Sequence, residues 1–456
     1  MSLEVIILAA GQGTRMRSKK PKVLHPLAGK PMLVHTIEQA KRLQPGRTHI
    51  VVGHQAHQVE AVVASLGVKC VLQAEQLGTG HAVAQAMLAV DSDAIVLVLY
   101  GDVPLVPAAL MQKLTEQAGQ GKLALLTVNL NDASGYGRIV RQGPDNSGPI
   151  QAIIEHKDAT PEQLQIKEIN TGILAVKASY LNAWLPRIES NNAQGEIYLT
   201  DVVAMAVDDG IAIGYLQPDF PQQTQGVNDR MQLALLERWH QQQQAHQLLS
   251  DGVQLADPSR FDLRGELKVG TDIYIDVNVI IEGQVHLGNG VHVGPNCHIK
   301  DAHIGAGTQI LANSVIDQAQ ISANCSIGPF ARLRPGTILH ENAKVGNFVE
   351  TKKTTLGSGS KANHFTYLGD TEVGEHVNIG AGTITCNFDG VNKFKTHIAD
   401  GAFIGSNSSI VAPVSIGAGA TIAAGSTITK DVANDNLAIA RGKQRNIAPW
   451  VKPVKL

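Results

Sequence analysis

Cysteine is scarce in this chain, and so are aromatic side chains, unbalanced charge and long apolar runs. The four cysteines, Cys70, Cys297, Cys325 and Cys386, stand apart with no C-x-x-C pair, which argues against a disulfide framework or a structural zinc site. Formal net charge is only -2, so no basic field draws in nucleic acid or an anionic membrane. No stretch reaches the ~18 apolar residues of a membrane span. The apolar run at residues 5–10 has no basic leader before it, and the expected location is the cytoplasm. Aromatics make up 4% of 456 residues while glycine supplies 45. That balance points to many tight turns around layers of small aliphatic side chains. The length exceeds one ordinary core, so two or three domains are expected.

Residues 1–230 alternate short apolar runs with amphipathic stretches. Val5-Ile6-Ile7-Leu8-Ala9, His49-Ile50-Val51-Val52, Ile95-Val96-Leu97-Val98-Leu99 and Leu123-Ala124-Leu125-Leu126-Thr127-Val128 read as buried strands. Residues 32–43 and 80–88 read as helices between them. This is the pattern of an α/β domain, a parallel sheet covered by helices. Residues 231–251 keep a helical period, with Met231, Leu235, Leu236, Trp239, Leu248 and Leu249 on one side. They are expected to form a linker helix with Gln241 to Gln244 on a solvated face.

Residues 252–456 obey a different period. Leu263, Val269, Ile275, Ile281, Leu287, Val293 and Ile299 are six apart, and Ile398, Ile404, Ile410, Ile416, Ile422 and Ile428 repeat that step. Six fits neither a helix nor a long flat strand. It fits a coil of short parallel strands, one unit per side of a triangular prism, with each aliphatic residue pointing inward. The pattern resembles the left-handed parallel β-helix of hexapeptide-repeat proteins, an exception to right-handed crossovers. Residues 385–397 interrupt the register and are expected to loop out with binding work to do.

The loop after the first strand carries chemistry. Leu8-Ala9-Ala10-Gly11-Gln12-Gly13-Thr14-Arg15-Met16 is followed by Pro21-Lys22. Gly residues let backbone N–H groups approach phosphates, and Arg15 and Lys22 would neutralise their charge. It is neither a Walker loop nor G-x-G-x-x-G, so ATP hydrolysis and dinucleotide binding lose ground. A Gly-rich turn alone serves tight turning equally well. Asp102 ends an apolar strand, where it could hold a metal beside phosphates or cap a helix before Val103-Pro104.

L-x-x-G-x-G-T-R-x-x-x-x-x-P-K resembles the signature of sugar-nucleotide pyrophosphorylases. Gln73-Ala74-Glu75-Gln76-Leu77-Gly78-Thr79-Gly80 and Tyr100-Gly101-Asp102 are similar to that family's base-reading and metal-reading loops. With the repeats included, nearly the whole chain resembles the bacterial family of bifunctional N-acetylglucosamine-1-phosphate uridyltransferases / glucosamine-1-phosphate acetyltransferases. The resemblance implies a Rossmann-like nucleotidyltransferase domain ahead of the β-helix, and UTP held by Leu8, Ala9, Ala10, Gly11, Arg15, Lys22, Gln73, Gly78, Thr79, Tyr100, Gly101 and Asp102. It places the sugar at Gly137, Glu155 and Asn170, and Mg²⁺ at Asp102 and Asn228. A Gly/Pro/Ser stretch at residues 145–149 departs from the family by lengthening a hairpin.

The same resemblance implies a second site in the repeats. Arg334 and Lys352 would clamp the sugar phosphate, with Tyr367 and Asn378 orienting the sugar. His364, in Lys361-Ala362-Asn363-His364-Phe365-Thr366-Tyr367, would be the general base. A thioester is attacked only by a neutral amine, and imidazole can take its proton. Ala381, Asn387, Phe388, Ser406, Ala424 and Arg441 would contact acetyl-CoA. Phe388 stands where the family usually has Tyr, which removes a hydroxyl. On composition alone a single His on a solenoid is more often a solvated or corner residue than a catalyst, and only its surrounding motif sets His364 apart. His286, His292 and His298 fall on successive prism faces, so they cannot converge on one zinc within a chain, which weakens the rival reading of a hexapeptide-repeat carbonic anhydrase.

The resemblance further implies small-molecule substrates, no nucleic acid or membrane partner, and a homotrimer. Two rival readings are a single-activity uridyltransferase whose β-helix only drives oligomerisation, and a non-enzymatic solenoid scaffold. The nucleotide loop opposes the second; His364 and the interruption at residues 385–397 oppose the first.

Overall fold

The computed structural model describes residues 1–143 and 145–455. The chain forms two compact units, Met1–Trp239 and His240–Leu456. The division falls within the helix Arg230–Ser250.

In the first unit the main path of the sheet runs Ile213–Leu216, Leu123–Asn129, Glu168–Lys177, Ile95–Tyr100, Leu3–Ala9, Arg47–Val52, Lys69–Leu72. Successive side chains of a strand face opposite ways, and here both faces are covered. Val5, Ile7, Leu97 and Leu99 join one core cluster, whereas Ile6, Leu8, Val96 and Val98 join another. That is why these strands read as unbroken apolar runs. The helices Met32–Lys41 and Thr79–Met87 occupy the two expected amphipathic stretches. The sheet is not wholly parallel, since Glu168–Lys177 runs antiparallel to both its neighbours. That strand and two edge strands, Lys69–Leu72 and Ile213–Leu216, carry weaker apolar patterns because their residues are only partly covered. The Gly/Pro/Ser stretch closes a hairpin between Arg138–Arg141 and Ile150–Ile154.

The second unit is a parallel β-helix with three faces. On one face Ile275, Val293, Ile310, Ile327, Val345, Ala362, Ile379, Ile404, Ile422 and Ala438 stack in register, coil upon coil. The sequence step of six carries the chain to the next face, and three steps return it to the first. Ile398, Ile404 and Ile410 thus lie on three different faces, and Ile416 stacks on Ile398. The interior is one continuous aliphatic cluster. Asn residues at positive φ, such as Asn296, Asn313, Asn324 and Asn342, turn the corners. In the coil before the interruption Thr385, not Ile384, points inward. Thr385 is 1% exposed and Ile384 is 46% exposed.

The helix Arg230–Ser250 departs from the expected stripe. Leu236 packs with Leu27, Met32 and Val227, while Met231 and Leu235 are exposed. Farther along, Ala245 and Leu248 enter the β-helix core. Gln241 is buried, not solvated, and hydrogen-bonds the backbone of Leu263. A long amide can satisfy a strand edge that an aliphatic side chain would leave bare.

Candidate functional sites

In a twisted α/β sheet the loops beyond the strand C-termini form a crevice. Here the loops after Ala9, Leu72 and Tyr100 meet, because Leu3–Ala9 lies between Arg47–Val52 and Ile95–Tyr100. They enclose a cavity of about 300 Å³. Leu8, Ala9, Ala10, Gly11, Lys22, Gln73, Gly78, Thr79, Tyr100 and Asp102 all line it. Gly78 sits at φ +117 with the Ile197 backbone so close that a Cβ would collide. The loop it turns is braced by Gln73, whose Nε2 lies 3.2 Å from the Gly78 carbonyl. Gly101 packs against Leu33 and Val23, which leaves no space for a side chain without shifting them.

At the mouth of this cavity one cation meets two oxygens. Lys22 Nζ donates to the Asp102 carboxylate and, at 3.1 Å, to Asn228 Oδ1. The backbone holds this pair together, for Val227 N–H donates to the Asp102 carbonyl at 2.9 Å. A carboxylate and an amide oxygen converging on one positive charge are hard donors of the kind that suit Mg²⁺. Asp102 caps no helix, since the next helix begins at Ala108 behind Pro107.

Glu155, Gly137 and Asn170 gather beside the cavity rather than in its wall. Asn170 N–H donates to the Gly137 carbonyl at 2.9 Å, and a Cβ at Gly137 would press on Glu155. Burial raises the pKa of the Glu155 carboxyl, despite a hydrogen bond from Thr200. Tyr100, half-buried beside Gly172, has its phenol pushed upward by the same loss of solvent. Arg15 is exposed on a short turn after Gly13, outside the cavity wall.

Gln76 and Glu196 also line the cavity. Gln76 falls within the Gln73 to Gly80 stretch, so its spacing could have flagged it. Glu196 follows no pattern; it arrives because Ile197 pairs with Leu77 and Gly80 through backbone hydrogen bonds of 2.7 and 2.8 Å.

In the β-helix, register places the second residue set. Leu333 pairs with Thr351, so Arg334 and Lys352 are consecutive in one column, and Lys352 pairs with Gly369 above. Arg334 binds Glu350 at 2.7 Å. The ammonium of Lys393, with Arg334 nearby, holds the Lys352 pKa below the usual lysine range. Three cations thus crowd one spot, which is how an anion site looks before its anion arrives. Lys393 was not foreseen; it comes from the interruption, which folds as a small hairpin with Phe388 bridged to Lys393. The turn at its tip is held by Asp389, whose Oδ1 accepts from Val391 and Asn392 N–H. Its base returns Asn387 to the coil, where Nδ2 donates to Asp370 at 2.5 Å. A Cβ at Gly369 would strike both the Tyr367 hydroxyl and the Asn387 amide.

A second column runs up one corner. Ala362 pairs with Ile379, Ile379 with Ile404 and Ile404 with Ile422. Two residues beyond each, His364, Ala381, Ser406 and Ala424 therefore stack in line. Arg441 closes the line by donating to the Ala424 carbonyl at 2.7 Å. The structure does not gather every predicted residue. Asn378 pairs with Lys361 on the preceding face, around the corner from Tyr367. The three other histidines lie apart as well: His286 stacks on His303, His292 on Tyr274, and His298 meets Glu282.

Residues 5–190 match a MobA-like NTP transferase domain, residues 263–356 a GMPPB C-terminal domain, and residues 395–430 a bacterial transferase hexapeptide of six repeats. The chain is 58% identical over 453 residues to the bifunctional protein GlmU of Marinobacter nauticus, covering 99% of both chains. The bifunctional protein GlmU of Cellvibrio japonicus is likewise 58% identical over 453 residues, with 99% of each covered. That of Pseudoalteromonas atlantica is 56% identical over the full length of both.

Proposed function

The chain belongs to the family of bifunctional GlmU proteins, and from that premise we propose that it makes UDP-N-acetylglucosamine in two steps. The repeat unit acetylates glucosamine 1-phosphate from acetyl-CoA. The α/β unit then transfers UMP from UTP to N-acetylglucosamine 1-phosphate and releases pyrophosphate. The observation that carries the reading is that each compact unit holds its own cluster of oxyanion-binding groups, one around Lys22 and one around Lys352.

For uridyl transfer, the sugar phosphate oxygen attacks the α-phosphorus of UTP, and the bond to the bridging oxygen of pyrophosphate breaks. Lys22 and Arg15 supply positive charge to the triphosphate, and the loop at Gly11 approaches it with backbone alone. Glu155 and Asn170 orient the sugar. Asp102 and Asn228 would hold Mg²⁺, whose charge neutralises the phosphates when it is bound there. No protein nucleophile is needed.

For acetyl transfer, Arg334 and Lys352 hold the sugar phosphate while Tyr367 orients the ring; Asn378, around the corner from Tyr367 in one copy, would reach a ring held by a neighbouring copy. His364 takes the amine proton as nitrogen attacks the thioester carbonyl; the new C–N bond forms, the C–S bond breaks, and thiolate leaves. The corner column of Ala381, Ser406 and Ala424, with Asn387, Phe388 and Arg441, gives acetyl-CoA a run of contacts leading to His364.

We read self-association as a homotrimer. Its support is a stack of exposed rings, Phe330 on Phe348 at 5.3 Å and Phe348 on Phe365 at 5.1 Å, one position beyond the His364 column. Such exposed aromatics in a polar surface suit an interface between copies. No helix among the described residues is long and apolar enough to cross a membrane, and we place the protein in the cytoplasm. The product would feed cell-wall and lipopolysaccharide synthesis.

The test supplies glucosamine 1-phosphate, acetyl-CoA and UTP, and follows free thiol and pyrophosphate. Both should appear, and pyrophosphate should require acetyl-CoA. Pyrophosphate from N-acetylglucosamine 1-phosphate without any thiol release from glucosamine 1-phosphate would leave a single-activity uridyltransferase.

A further inference from the structure

His364 lies on the strand Lys361–His364, and the coil beneath places Asn347 directly under it. The two side chains meet, His364 Nδ1 to Asn347 Oδ1 at 2.7 Å. An amide oxygen has no proton to give, so the ring nitrogen facing it must be the donor. A neutral imidazole carries one N–H, and spending it on Asn347 leaves the Nε2 lone pair free.

The backbone fixes this meeting on both sides. Phe365 N–H donates to the Asn347 carbonyl at 3.1 Å, and Thr366 Oγ1 donates to the His364 carbonyl at 2.8 Å. The neighbouring rings of Phe348 and Phe365 stack at 5.1 Å in the same two coils. Neither side chain can drift along the strand without breaking the rung.

We propose that Asn347 is a positioning residue for acetyl transfer, which holds His364 in the Nδ1–H form so that Nε2 faces the amine as base. The inference rests on His364 being that base. When Nε2 takes the proton, the ring becomes a cation and its Nδ1–H bond to Asn347 strengthens. Asn347 thus favours the protonated ring that forms as the C–N bond is made, and releases it when the proton leaves with the thiolate.

Asn347→Leu keeps the volume and removes the acceptor; Asn347→Asp keeps an acceptor. In the full-length protein the Leu variant should lose on the order of ten- to a hundred-fold in kcat for acetyl transfer, the range by which metal-bound histidines depend on their orienting partners. The KM for glucosamine 1-phosphate should stay within about two-fold, and Asp should restore most of the rate. In a His364→Ala background, Asn347→Leu should cost nothing further, because the two residues act as one unit. Equal losses in the Leu and Asp variants, a loss confined to KM, or an additive loss on top of His364→Ala would overturn the proposal. His364→Ala at the wild-type rate would instead remove the base assignment itself. A wild-type far-UV circular dichroism spectrum and urea midpoint report that the β-helix of each variant is folded.

Discussion

Gln241 grips both backbone groups of Leu263: its Nε2 donates to the carbonyl at 3.0 Å, and its Oε1 accepts from the N–H at 2.8 Å. The side chain is 1% exposed, so water cannot replace either bond. Gln241→Leu preserves volume but orphans the Leu263 N–H, which costs about 1–3 kcal/mol when buried, whereas the Leu263 carbonyl keeps the 3.1 Å bond from Gln244 Nε2. The expected result is a β-helix unit destabilised by about 1–3 kcal/mol, read as a lower urea midpoint for loss of acetyl transfer. An unchanged midpoint would mean that the strand edge finds other partners.

Asp102→Ala should abolish uridyl transfer and leave acetyl transfer nearly intact, since it removes one of the two oxygens that converge on Lys22. EDTA should act in the same selective way. A folded variant that has lost both activities would contradict separate sites.

A chain ending at Trp239 should keep uridyl transfer and be monomeric, because the first unit has its own core clusters while the exposed Phe stack lies in the second. Light scattering decides the matter. In the full chain, Phe348→Ser removes the middle ring of the stack and should weaken trimerisation at micromolar concentration. A trimer of either form as tight as the wild type would place the interface elsewhere.

His364→Ala should cut acetyl transfer by on the order of 10²–10⁴, the usual worth of a general base. Arg334, Lys352 and Lys393 remain in place, so the KM for the sugar phosphate should change little. Added imidazole should recover part of the rate by entering the space left by the ring. Full activity without rescue would show that another group takes the proton.

Much of this was legible beforehand because its physics is local. Ile6 and Leu97 sit in strands buried on both faces, and such strands must be apolar throughout. The six-residue step of Ile398 to Ile428 follows from one inward side chain per prism face. What escaped notice depends on distant partners. Gln241 looks solvent-seeking until Leu263 lies against it. Lys393 looks like a loop charge until the hairpin returns it to Lys352. The antiparallel direction of Glu168–Lys177 is written in no residue of that strand; the path of the chain decides it. Asn347 gains meaning only because the coil length puts it one rung from His364.

The stacked corner from Asn347 to Ala424 behaves as a graduated rule. Each coil adds one strand spacing, about 4.8 Å, so separations along the corner change only in whole divisions. Small inserts are absorbed as outward loops, as at residues 387–394, without disturbing the marks. Deleting a full coil between His364 and Ser406 would shorten the reach by one division and leave a pantetheine-length ligand out of step with the base. A β-helix can therefore set the length of the molecule it accepts by counting turns.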